Sequence, residues 1–67
     1  MHITLNNRKE EFDRSTMTVR ELLDEKNFTF KMLVIKINGQ LVRKEDYEKA
    51  VISDGDDVSV IHLISGG

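Results

Sequence analysis

Cysteine and proline are both absent from this chain of 67 residues. Without cysteine there is no disulfide and no thiolate metal site, which fits a reducing compartment and a cytoplasmic location. No charge of one sign dominates. Ten basic residues stand against twelve acidic ones, and the formal charge of −2 argues against nucleic acid as the main partner. No basic, uninterrupted apolar segment opens the chain, so neither a signal peptide nor a membrane span is expected. Repeats and low-complexity stretches are missing as well, and the length allows one domain at most.

The usual chemical motifs are equally scarce. There is no Gly-x-Gly-x-x-Gly and no Walker loop, which excludes the known phosphate cradles. His2 and His62 are far apart, have no cysteine beside them and lack helical ligand spacing, so no metal site is expected. Asp54-Gly55-Asp56-Asp57 lacks the alternating ligands and distal Glu of a calcium loop and reads as a turn. Ser15, Ser53, Ser59 and Ser65 have no evident His and Asp arrangement around them. A domain this short hides only about 60% of the surface its unfolded chain exposes, leaving little room for a water-excluding pocket. A binding or carrier protein is expected before an enzyme, with no bound cofactor.

What is present is a clear alternation of periods. Ile3-Thr4-Leu5 alternates like a half-buried strand. Asn6-Asn7-Arg8-Lys9 reads as a turn, and Glu10-Glu11-Phe12-Asp13 as a weaker returning strand anchored by Phe12. Thr18-Val19-Arg20-Glu21 has the capping-box pattern. Val19, Leu22 and Leu23 then form one apolar helical face, and the helix is expected to end near Asn27. Leu33 to Ile37 is the most strand-like run. Asn38-Gly39 signals a tight hairpin into Gln40-Leu41-Val42, because both central positions need positive φ. Lys44 to Val51 reads as a helical turn with Tyr47, Ala50 and Val51 on one side. After the Asp54-Gly55-Asp56 turn, Asp57 to Ile64 is the last strand.

The order is β-β-α-β-β-(short helix)-β, an α+β arrangement. The helix makes a crossover, so the first and last strands can lie side by side and parallel. That topology is the β-grasp, a mixed sheet of about five strands with one main helix on one face. The expected division is a domain over 1–63 and a flexible Gly-Gly tail over 64–67.

Two features remain with functional meaning. If Val58 and Val60 face the helix, strand alternation turns Ser59, Ile61 and Leu63 to the open face. Val34 and Val42 are expected to join Ile61 and Leu63 there as an apolar docking face. The second feature is the end itself, Ser65-Gly66-Gly67. A terminal carboxyl is an anion at neutral pH, with a reference pKa of about 3.3–3.7. It is a nucleophile suited to the α-phosphorus of ATP on a partner enzyme, and the acyl-adenylate so formed reacts with sulfur or amine nucleophiles. Glycines lack Cβ atoms and can thread a narrow channel, which lets the partner keep water from the anhydride.

The run Ile35-Lys36-Ile37-Asn38-Gly39-Gln40-Leu41-Val42-Arg43, then Tyr47, Asp54-Gly55-Asp56-Asp57-Val58 and Gly66-Gly67, resembles the ThiS family. These are sulfur carriers of bacterial thiamine biosynthesis and relatives of MoaD and ubiquitin. The opening Leu5-Asn6 and the helix Thr18 to Leu23 also match the family layout, so the resemblance covers essentially the whole chain. It implies that an E1-like, ThiF-like adenylyltransferase consumes ATP to activate Gly67. Sulfur from a donor such as a cysteine desulfurase then displaces AMP, and the resulting thiocarboxylate serves a ThiG-like thiazole synthase. Asn6-Asn7 stands where Asn-Gly is frequent, and Arg43-Lys44 where many members have Pro-Arg. Both departures lie in turns away from the tail and leave the pathway open. Molybdopterin synthesis, tRNA thiolation, protein modification through Gly67 and an inert interaction module are the alternatives.

Overall fold

In the computed structural model, which describes residues 1–29 and 32–63, the chain opens with a hairpin of β1 (His2–Leu5) and β2 (Arg8–Glu11). The turn is tighter than expected, because Asn6 and Asn7 suffice with φ of 51° and 66°. Two left-handed residues match the twist of the flanking strands, and asparagine enters that region more readily than most residues. Arg8 and Lys9 therefore belong to β2, which ends at Glu11 rather than Asp13. Phe12 still acts as an anchor. It is buried, its N–H donates to the Met1 carbonyl at 2.9 Å, and its own carbonyl accepts from the terminal ammonium at 2.7 Å.

The helix α1 (Val19–Glu25) begins where its capping box lies. Thr18 Oγ1 accepts from the Glu21 N–H at 3.1 Å, and the Glu21 carboxylate accepts from the Thr18 N–H at 2.8 Å. The N–H groups of Val19 and Arg20 donate instead to the carbonyls of Ala50 (3.0 Å) and Tyr47 (2.9 Å), so tertiary contacts satisfy helix-start donors that have no partner within the helix. Asn27, at φ 57°, turns the chain out of the helix, and the Phe28 N–H returns to the Leu23 carbonyl at 2.8 Å. At seven residues α1 is too short to stand alone. Burial of Val19, Leu22 and Leu23 holds it in place, each contributing about 1.5–3 kcal/mol.

Two short strands were not legible in the periodicity. β3 (Thr16–Thr18) and β6 (Val51–Ser53) pair antiparallel as a separate small sheet. The expected helical turn over 44–51 shrinks to a 3₁₀ turn, Lys44–Asp46, followed by a turn into β6. Tyr47 is buried and Ala50 packs against the core, but Val51 is 53% exposed. Strand alternation explains this correction: Ile52 takes the inward position at 0% exposure, so Val51 must point out.

β4 (Leu33–Ile37) and β5 (Gln40–Val42) join through Asn38-Gly39, at φ of 51° and 83°. β7 (Asp57–His62) completes a five-stranded sheet in the order β2-β1-β7-β4-β5. β1 and β7 run parallel, and every other pairing is antiparallel. This mixed sheet with one helix is the β-grasp arrangement. Ile3, Leu5, Ile35, Val58 and Val60 meet α1, Met17, Tyr47 and Ile52 in a single buried cluster.

Candidate functional site at the end of β7

β7 leads to the end of the sequence, and the fold grips it from both sides. On one side β4 pairs with it from Leu33↔His62 to Ile37↔Val58, and the Leu63 N–H adds a bond to the Met32 carbonyl at 3.0 Å. On the other side β1 pairs only as far as Leu5↔Val58 before its hairpin turns away. There the Asn6 carboxamide takes over. Its Oδ1 accepts from the Val60 N–H at 2.8 Å and its Nδ2 donates to the Val60 carbonyl at 3.1 Å. One side chain thus imitates the missing strand backbone, and β7 stays paired on both edges up to Val60.

The turn before β7 is wired in the same manner. Asp54 Oδ1 accepts from the His2 N–H at 2.7 Å. Asp56 accepts from the Ser53 N–H at 2.9 Å and from Asn38 Nδ2 at 3.0 Å, and Asn38 Oδ1 accepts from the Asp57 N–H at 2.9 Å. These carboxylates hold strand ends together. Among the described residues, no three His, Cys, Asp or Glu side chains converge as a metal-binding group.

The register sorts the expected docking residues. Ile61 lies opposite Val34, on the face away from α1. Ile61 is 49% and Leu63 45% exposed, while Val34 is partly covered. Val42 does not join them. It lies opposite Ile35, which is fully buried, so both point to the helix side and Val42 packs against the core. The tight Asn38-Gly39 turn imposes this register: with Ile37 opposite Gln40, Leu41 rather than Val42 takes the open face. Leu41 is 60% exposed, on the side that a two-residue turn dictates. Met32, at 53%, is a second exposed apolar residue at this end. Ser65, Gly66 and Gly67 lie outside the described residues, as do Ile64 and the expected tail over 64–67.

Met32, Leu41 and Leu63 border a groove of about 630 Å³, whose walls also include Leu33, Val34, Val42 and Tyr47. Among the described residues, Arg20, Arg43, Lys44 and Glu45 also line it, three basic groups against one acidic. The Arg20 guanidinium lies 5.8 Å from the centre of the Tyr47 ring and 3.8 Å from Asp24. The opposite half of the open face is different. There the register collects His2, Thr4, Lys9, Glu11 and Asp57, with His2 3.1 Å from Glu11. One end of the sheet is therefore apolar with a basic border, and the other is polar. Among the described residues no helix is long and apolar enough to cross a membrane.

Comparison with known proteins agrees with this layout. The sulfur carrier protein ThiS of Bacillus subtilis (strain 168) is 25% identical over 65 residues, covering 97% of this chain and 98% of that protein. A thiazole synthase of Paramagnetospirillum magneticum is 30% identical over 67 residues, which is all of this chain but 20% of that longer protein. The crystal structure of the thiamine biosynthesis protein ThiS from Geobacter metallireducens superposes with a TM-score of 0.89 at 25% identity, over the whole of both chains. The model of the ThiS family matches residues 3–67, from β1 through the final glycines. The chain belongs to the ThiS family.

Proposed function

We propose that this chain is a sulfur carrier for thiazole formation, with the carboxylate of Gly67 as its working group. The observation that carries this reading is a family match that runs through Gly66 and Gly67. A thiazole synthase that includes a segment similar to the entire chain supports that enzyme class as the sulfur acceptor.

The chemistry needs no side chain of the domain. On an E1-like adenylyltransferase, a carboxylate oxygen of Gly67 attacks the α-phosphorus of ATP and pyrophosphate leaves. A hydrosulfide equivalent, released from the persulfide of a donor such as a cysteine desulfurase as a thiol reductant is oxidised to a disulfide, then adds to the acyl carbon, and AMP leaves with the bonding electrons. The product is a thiocarboxylate on Gly67. The domain's part is presentation: β7, paired on both edges to Val60, ends at the apolar end of the sheet, where Ile61, Leu63 and Val34 form the docking face. The partner buries that face, keeps the anhydride dry and supplies the catalytic groups.

Incubating the protein with its adenylyltransferase, ATP and a sulfide source, followed by intact-mass spectrometry, tests the reading. The expected result is the mass gain for exchange of one oxygen by sulfur, lost when Gly67 is deleted. A ladder of conjugates to other proteins, or an unchanged mass with an active enzyme, refutes it.

A further inference from the structure

The docking face is not purely apolar. Lys36 stands on it, opposite Leu41 on β5 and Ser59 on β7, one side-chain position along β4 from Val34. It is exposed and makes no ion pair among the described residues; neither do Arg43 and Lys44, at the end of β5. The chain as a whole is acidic by two charges, and Lys36, Arg43 and Lys44 gather at this end, with Glu45 beside them along the groove. Of the acidic residues on the open face, Glu11 stands on the other half, and Asp57 is one side-chain position along β7 from Ser59 without pairing with Lys36.

We infer that Lys36 is a specificity residue, and that the surface docking here is a protein face with an apolar centre, a carboxylate opposite Lys36 and an acidic border. The inference rests on the docking-face reading above and adds the charge that reading leaves out. An ammonium covered by a partner loses its water and must be paired, or complex formation bears the full desolvation cost. Val34, Leu41 and Ile61 border it on one side and Ser59 and Asp57 on the other, so Lys36 stands where the aliphatic patch meets the polar half, and a partner covering the patch also covers its ammonium. A partner lacking the carboxylate is rejected by the same Lys36 that favours the correct one. Arg43 and Lys44, farther out, stay solvated and act on the rate of encounter. The aliphatic patch favours a protein over a nucleic acid, because among the described residues the open face presents no Phe, Tyr or Trp ring on which a base could stack.

The test measures association of the full-length protein with its adenylyltransferase and with thiazole synthase, by stopped flow over a range of ionic strength. Lys36→Glu is compared with Lys9→Glu, the same charge change on the same face but on β2. Lys36→Glu is expected to weaken binding to at least one enzyme by about tenfold or more, with Lys36→Arg restoring most of it. Lys9→Glu is expected to change binding less than about twofold, and matching circular-dichroism melts establish that both variants are folded. Equal effects of Lys36→Glu and Lys9→Glu overturn the inference while leaving the docking face intact. If folded wild type binds neither enzyme, both readings fall. Tighter binding to a single-stranded oligonucleotide than to either enzyme overturns the choice of a protein partner.

Discussion

Replacing Asn6 tests how the fold supports the strand that leads to the tail. Its carboxamide makes two hydrogen bonds to Val60, at 2.8 and 3.1 Å, in a partly buried setting. Its backbone has φ of 51°. Asn6→Ala removes both bonds, each with a net contribution of about 0.5–1.5 kcal/mol. It also puts an ordinary Cβ residue into left-handed backbone, at about 1–2 kcal/mol. The expected loss is about 2–5 kcal/mol, a large share of the stability of a small domain, and corresponds to a fall in Tm of the order of 15–35 °C. Asn6→Gly separates the two contributions, because glycine accepts the positive φ; about 1–3 kcal/mol should remain. Urea denaturation gives the stabilities, and amide exchange at Val60 gives the local effect, with faster exchange in both variants. If Asn6→Ala and Asn6→Gly are both within about 0.5 kcal/mol of wild type, or Val60 exchange is unchanged, the strand-mimic account is wrong.

Two further perturbations follow from the same geometry. Hydrogen bonding from the Thr18 amide, and then from Arg14 at 2.6 Å, holds the Glu21 carboxyl below the usual carboxylate range. Its stabilising effect is therefore fully present above the ordinary carboxylate pKa and is lost as pH falls through the depressed folded value. Glu21→Gln should flatten the acid limb of a stability–pH profile, and an unchanged limb would show that the capping carboxylate contributes nothing there. The sheet register predicts a contrast between Val42→Asp and Ile61→Asp. Val42→Asp puts a carboxylate against the core and should cost about 2 kcal/mol or more in a melt. Ile61→Asp should cost less than about 0.5 kcal/mol while weakening enzyme binding, and the reverse order would mean the faces are misassigned.

The capping box at Thr18, the strand Leu33 to Ile37 and the Asn38-Gly39 hairpin were legible because each is specified by neighbours in the chain. The expected parallel contact of the first and last strands followed from the crossover helix. β3 and β6 escaped because three residues are too few to display a period, and each is a strand only through pairing with the other. Val42 was assigned to the wrong face for a different reason. A lone valine in a short strand carries no mark of its side, and only its register against Ile35 reveals it. Leu41 was the counterpart error, overlooked although the turn length already implied its side.

The sequence by itself determined the helix, the longer strands, the Asn38-Gly39 hairpin and the glycine pair at the end, since local backbone preference and hydrophobic period are properties of adjacent residues. Tertiary structure alone decided how β7 is held and what its open face presents. Asn6 reaches Val60, Lys36 stands beside Leu41, and Val42 turns inward, because these relations join residues that meet only after the sheet has closed and its register is set.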